Sequence, residues 1–465
     1  MFQKKVCFNF ELLLIAKKMK SKLILFSTLL AICITFLHSC FVMEGSYTKL
    51  PPGKWRAALK LTPEFISPNP KGQPLPDKVN MKFADVNEYE LPFNFEVVYD
   101  NDTTFHIEII NGEERIVVPA SDIQFGRSKK RSQDTIRINF PMYESYISGA
   151  FAGNTIEGLW VVTTRENYTI PFVAKQGEDW RFTALRKPPM LDLSGQWACN
   201  FGLESFPESE EPYPAIGEFK QEGNRLTGTF MTETGDYRFL EGTVQADKFY
   251  LSCFDGAHAY LFHGKILPDS TLTGAFFSGK HYRTTWTGER NANFKLANPD
   301  SLTFLNPGYD KFSFSFQNPD GKTISLDNPE YKGKAKIIQI MGTWCPNCRD
   351  ETAFLVDFLK KQNPQNLAVI ALAFEKHADK ASADKAIRTY KERFGMDYEI
   401  VFAGTNKKAD AAKSLPMLKE VIAYPTLIFL DKNDKVVRIH TGFSGPATSE
   451  HALFKEKFNK FVAEL

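Results

Sequence analysis

Two cysteines separated only by Pro346 and Asn347 stand directly after a short, largely apolar run, and this junction constrains the chain more than any other feature. Ile337-Ile338-Gln339-Ile340-Met341 reads as a strand buried on both faces of a sheet. Gly342-Thr343-Trp344-Cys345-Pro346-Asn347-Cys348 follows, and beyond it Phe354, Leu355, Phe358 and Leu359 share one face of a helix. A strand that runs into a helix places Cys345 at the helix N-terminus. Unpaired N–H groups and the positive end of the helix dipole favour a thiolate there. Pro346 suits the first turn, where its missing N–H costs nothing. Cys348 lies one turn on, within reach of a mixed disulfide formed at Cys345.

The surrounding pattern is α/β. From about Phe312, strands alternate with helices: Leu367–Phe374, a helical stretch Lys380–Phe394, then strands Thr426–Leu430 and Val436–His440. A closing helix carries Phe454, Phe458, Phe461, Val462 and Leu465 on one stripe, with Thr448 or Ser449 placed to cap it. Trp344-Cys345-Pro346-Asn347-Cys348, with Tyr424-Pro425-Thr426 opening a later strand, resembles the thioredoxin superfamily. More narrowly it resembles the TlpA-like, membrane-tethered thiol–disulfide oxidoreductases, over about residues 312–465. The resemblance implies that Cys345 is the exposed nucleophile and Cys348 the buried resolving thiol. Trp344 then packs beside the site, and Tyr424-Pro425 is a cis peptide facing the cysteines. No cofactor is implied beyond the Cys345–Cys348 pair, and no metal.

Other chemistries at this spacing lack their partners. Zinc needs a second ligand pair, and none is near in sequence. Covalent haem needs His after Cys348, where Arg349 stands. A peroxidatic cysteine follows Thr or Ser by three residues, a position held by Gly342. Two departures from thioredoxin itself matter. Gln339, six residues before Cys345, occupies the place of a buried Asp that relays protons, so Glu375 at the end of the neighbouring strand is expected to substitute as the base for Cys348. Cys348 and Pro425 are 77 positions apart, so charged helical material over about 376–420 is inserted and expected to form a solvated face.

At roughly 150 residues per domain, 465 residues suggest about three domains. The 41 Phe fall mostly in alternating runs, which leans the middle of the chain toward β-structure. It also repeats. Gly53-Lys54-Trp55 matches Gly195-Gln196-Trp197, Asp134 matches Asp247, Gly149 matches Gly264 and Gly158 matches Gly274, at offsets of 142, 113, 115 and 116. A Pro-rich loop over 62–92 absorbs the difference. The expected organisation is two tandem antiparallel β domains, 53–190 and 191–294, followed by a thioredoxin-fold domain over 295–465. The Gly-x-Trp openings resemble the start of a lipocalin-like barrel, although a sandwich fits the pattern too. Trp55 and Trp197 then serve as core plugs. Cys199 and Cys253 have inward parity on their strands, either as two buried thiols or as a structural disulfide.

The N-terminus reads as an address. Lys20 and Lys22 precede an apolar stretch, Leu23–Leu37, that is too short for a comfortable membrane span but suits a signal peptide. Leu37-His38-Ser39-Cys40 resembles a bacterial lipobox, which implies a signal peptide over 1–39 (with Met19 a candidate start), lipid on Cys40, and a linker over 40–52. Residues 1–39 hold six Lys and one acidic residue, +5, so the rest of a chain of net charge +2 sums to −3. Nothing basic is offered to nucleic acid. The chain is thus expected to be a lipid-anchored protein disulfide reductase of the bacterial envelope, facing the periplasm. Its partners are client proteins bearing disulfides or thiols and a membrane or periplasmic partner that recharges it. The rival readings are a ligand- or polymer-binding envelope lipoprotein with an accessory redox domain, and a thiol peroxidase.

Overall fold

Strand Gly53–Lys60 pairs with Glu90–Tyr99 on one side and with Thr169–Gln176, the central strand of a nine-stranded antiparallel sheet, on the other. The computed structural model describes residues 49–61, 86, 89–129, 132–207 and 211–465. The signal segment, Cys40 and most of the Pro-rich stretch lie outside the described residues. The first sheet stays open, because its edge strands Glu114–Val118 and Ile123–Ser128 do not pair. The second does not. Strand Tyr213–Glu222 pairs with Arg225–Thr232, which pairs in turn with Leu240–Gln245, so eight strands between Gly195 and Arg290 close into a barrel. A short ninth strand, Gly235–Asp236, hangs from Arg225–Thr232 as a hairpin.

The two β domains use the same devices at the same places. Gly53 and Gly195 both have positive φ, +96° and +107°, which lets the chain turn into the following strand. The Trp55 indole donates to the Pro51 carbonyl (3.1 Å) and that of Trp197 to the Leu193 carbonyl (2.9 Å), each four residues back. Gly149 faces Gly158 across one strand pair, and Gly264 faces Gly274 across its counterpart. A Cβ on Gly158 would sit 2.1 Å from the Ser148 carbonyl oxygen, and one on Gly274 2.0 Å from that of His263. Close backbone approach is therefore what the repeated glycines permit.

Aromatic side chains fill the closed barrel. Phe201, Phe230, Phe249, Phe262, Phe276 and Trp286 pack with Trp197, the Phe262 ring 4.5 Å from that of Phe276 and 4.7 Å from that of Phe230. Cys199 and Cys253 belong to the same core as free thiols, which corrects the disulfide reading. Their strands, Gly195–Phe206 and Lys248–Phe254, stand on opposite walls of the eight-stranded ring. A disulfide needs Cα atoms within about 7 Å.

The C-terminal domain has a five-stranded sheet in the order Glu399–Thr405, Leu367–Glu375, Ala335–Met341, Thr426–Leu430, Val436–Thr441. The first three strands are parallel, Thr426–Leu430 runs antiparallel to them, and Val436–Thr441 reverses again beside it. Four helices accompany it: α1 (Pro346–Gln362), α2 (Lys380–Phe394), α3 (Lys408–Ser414) and α4 (His451–Glu464). The inserted stretch is not just a solvated face: Ile387, Tyr390, Ile400 and Val401 are wholly buried, and it supplies an edge strand. No side chain caps α4, because Ser449 bonds instead to Glu218 of the barrel and Thr448 to the Gly445 carbonyl. Residues from Pro51 to Leu465 form one compact unit. Among the described residues, no helix is long and apolar enough to cross a membrane.

Candidate functional site

Strand Ala335–Met341 delivers the chain to a tight loop before α1. A Cβ on Gly342 would sit 2.3 Å from Trp344 Nε1 and 2.9 Å from the Phe374 carbonyl oxygen, so only glycine lets the loop pass. Thr343 donates its backbone N–H (2.9 Å) and its hydroxyl (2.7 Å) to the two oxygens of Glu375. Trp344 Nε1 donates to the Phe374 carbonyl at 2.9 Å, and its ring meets Tyr424 edge-on at 5.8 Å. Two consecutive residues are thus pinned to the end of the neighbouring strand, with Gly342 passing close beside it.

Cys345 is the N-cap of α1 and Pro346 its first helical residue. The Cys348 backbone N–H donates to Cys345 Sγ at 3.2 Å, so the sulfur occupies the place of a capping oxygen. From the other side Cys345 Sγ donates to the Tyr424 carbonyl at 3.4 Å, across the cis Tyr424–Pro425 bond. Both thiols are free. Cys348 is wholly buried, and burial, the bond to Cys345 and the charge of Cys345 hold its thiol well above the ordinary range. Among the described residues, no group of three or more His, Cys, Asp or Glu side chains stands where it could hold a metal ion.

Behind Cys348 lies a buried polar network that sequence reasoning missed. Gln339 Nε2 donates to Glu351 Oε2 (2.9 Å) and to Thr352 Oγ1 (3.1 Å), and Tyr398 donates to Gln339 Oε1 at 3.3 Å. Glu351 is completely buried, and its other oxygen, Oε1, has no hydrogen-bond partner. Burial raises this carboxyl far above the usual carboxylate range, and the Cys345 charge adds to that; Glu351 in turn helps hold Cys348 up. The signal was in plain view: Glu351 follows Cys348 by three positions, one helical turn. Glu375, by contrast, is committed to Thr343. Burial raises its pKa, and the two Thr343 bonds act against that rise.

The expectation of an exposed Cys345 is corrected: the residue is only 6% exposed. The hairpin of the closed barrel lies beside it. Asn347, between the cysteines, donates to the Asp236 carbonyl of the barrel hairpin at 3.4 Å. Arg238, 1% exposed, reaches across to α1, where it pairs with Asp350 (2.5 Å) and donates to the Pro346 carbonyl (3.4 Å). It also pairs with Glu114 of the first sheet (2.5 Å) and faces Asp255 of the barrel (3.4 Å). No local pattern in the sequence could have linked Arg238 to Asp350, 112 positions away.

Comparison with known proteins places the likeness in the C-terminal region, where residues 307–439 match the AhpC/TSA family. Among curated proteins, the thiol-disulfide oxidoreductase ResA of Bacillus subtilis (strain 168) is 23% identical over 138 residues, which is 30% of this chain and 69% of that protein. The thioredoxin-like protein YneN of the same organism is 29% identical over 129 residues, 28% of this chain and 68% of its own. Among solved structures, a thiol-disulfide oxidoreductase from Bacteroides fragilis NCTC 9343 is 18% identical, covering 32% of this chain and 99% of that one, with a TM-score of 0.25. A thioredoxin-family thiol:disulfide interchange protein from Chlorobium tepidum TLS is 21% identical, covering 33% and 94%, with a TM-score of 0.26.

Proposed function

We propose that the C-terminal thioredoxin-like domain, that of a thiol–disulfide oxidoreductase, reduces disulfides of client proteins through Cys345 and Cys348. The Cys345 thiolate attacks one sulfur of a client disulfide, forms a mixed disulfide and releases the first client thiolate, which takes up a proton. Cys348 then gives up its proton, attacks Cys345 Sγ and releases the second client sulfur. Two electrons pass from the dithiol to the client, which leaves as two thiols, and the protein is left with a Cys345–Cys348 disulfide. Trp344 and the Tyr424–Pro425 carbonyl side flank the sulfur that does this, and no cofactor enters. Glu351, with a free oxygen buried behind Cys348 and a raised affinity for protons, is the group matched to accept the Cys348 proton.

Lipid on Cys40 would tether the protein to an envelope membrane facing the periplasm, where a membrane or periplasmic partner recharges the pair. The observation that carries the reading is the Cys345 sulfur, held by a backbone N–H at the start of α1 with a second free thiol one turn behind it. Aromatic side chains fill the interior of the closed barrel, which disfavours the binding-lipoprotein reading for a ligand held inside it. The test is turnover of a small aromatic disulfide by the reduced full chain, with Cys348→Ser trapping a mixed disulfide on Cys345. If Cys345→Ala reduces the probe as fast as the native chain, or peroxide is turned over faster than any disulfide, the proposal fails.

A further inference from the structure

We propose that Arg238 and the hairpin Thr232–Arg238 of the second barrel determine which disulfides reach Cys345, acting as a latch that admits small disulfides and holds back folded proteins. This rests on the dithiol exchange proposed above. Gly235 lies against the residues between the cysteines: a Cβ there would fall 2.2 Å from Asn347 Nδ2, and its φ of +148° strains any other residue. Bare backbone therefore occupies the surface that a client chain must touch to place its disulfide on Cys345. Asp236 completes the seat by accepting the Gly445 backbone N–H at 2.9 Å.

The contact is polar, which is what a parting surface requires. The apolar cores of the closed barrel and of the C-terminal domain are separate clusters. Beyond the hairpin, the β domains meet the C-terminal domain through Arg393–Asp122 (2.6 Å), His377–Glu144 (2.6 Å), Ser449–Glu218 and Arg349–Tyr143 (3.4 Å), and Met142 adds a local apolar contact with the C-terminal core. Interfaces of this composition separate far more readily than a shared core. Arg238 is the keystone because its one cation answers three carboxylates, those of Glu114, Asp255 and Asp350. Without it those carboxylates face one another across the junction, and like charges in a low-dielectric setting drive the domains apart. Lysine cannot replace it, since a point charge lacks the planar fork that serves several acceptors at once.

The experiment uses the reduced full chain and follows Cys345 by peptide mapping. Its rate of modification is measured with iodoacetamide and with a maleimide carried on a long polyethylene glycol chain. In parallel, reduction of a small aromatic disulfide is compared with reduction of a folded protein disulfide. Arg238→Met is expected to raise the bulky-to-small rate ratio about tenfold or more, consistent with loss of a buried charge partner. Gly235→Ala keeps every buried charge, puts a methyl where the Asn347 amide sits and strains the hairpin backbone at φ +148°, so it weakens the hairpin's seat on Asn347, guards against a misfolded Arg238 variant and should move the ratio the same way. Arg238→Lys should lie between native and Arg238→Met. The latch is refuted if the native chain already reacts equally well with bulky and small reagents, or if neither variant moves the ratio. Failure of the native chain to reduce even the small disulfide refutes instead the dithiol reading on which the latch rests.

Discussion

Glu351 and Glu375 are both buried acids near the dithiol, and their partners separate their roles. Glu351 shares its network with Gln339 and keeps one oxygen unpartnered, whereas Glu375 spends both oxygens on Thr343. Glu351→Gln is expected to slow the resolving step roughly 10²-fold and flatten its pH dependence, because a positioned proton acceptor contributes about that much. Stopped-flow decay of the mixed disulfide checks this. Glu375→Gln should leave that pH profile in place and cost about 1–3 kcal/mol of stability through the broken Thr343 bonds; an altered profile would instead restore Glu375 as the base. Stability follows the same groups. Burial raises both carboxyls above their ordinary value of 4.5, so each favours the fold most below that pH and loses its contribution as pH rises through the raised value. Glu351→Gln should therefore gain thermal stability relative to the native chain as pH rises above 4.5, read from melting midpoints measured across a pH series.

At the scale of elements, each β domain is organised by a tryptophan plug and a pair of facing glycines. Trp197 is fully buried, bonds to the Leu193 carbonyl and lies under the Arg290 guanidinium at 4.5 Å. Trp197→Ala should cost about 3–5 kcal/mol, the usual range for deleting a large buried aromatic, read by urea unfolding. Gly274→Ala should cost a comparable amount despite adding a single methyl, because the new Cβ collides with backbone at His263 rather than with a yielding side chain. Strand endings and helix starts do similar work in the C-terminal domain. Cys345 caps α1 with its own sulfur, so the nucleophile is fixed by the same bond that begins the helix.

For the whole molecule, the arrangement of the domains over the dithiol is the main determinant. Ion pairs hold the β domains on the C-terminal domain, and several are partly open to solvent, such as Arg393–Asp122 with 33% and 11% side-chain exposure. Salt screens such pairs over a Debye length of about 8 Å at physiological ionic strength. Raising salt should therefore speed modification of Cys345 by the bulky maleimide while leaving iodoacetamide nearly unaffected. Attachment is tested separately: Cys40→Ala should move the protein from the membrane fraction to the soluble fraction of cells.

What the sequence determined by itself was local or periodic. The strand–loop–helix around Cys345 and the repeated Gly-x-Trp and glycine positions follow from spacing, which survives in a string of letters, while the Trp344 and Tyr424-Pro425 surroundings were legible through the resemblance that those residues carry. Only the tertiary structure decided that Cys199 and Cys253 stand on opposite barrel walls, that Gln339 pairs with Glu351, and that Arg238 reaches Asp350 on the helix that Cys345 caps. Those outcomes depend on which distant segments share a buried volume, and on which charges must be neutralised once water is excluded from it.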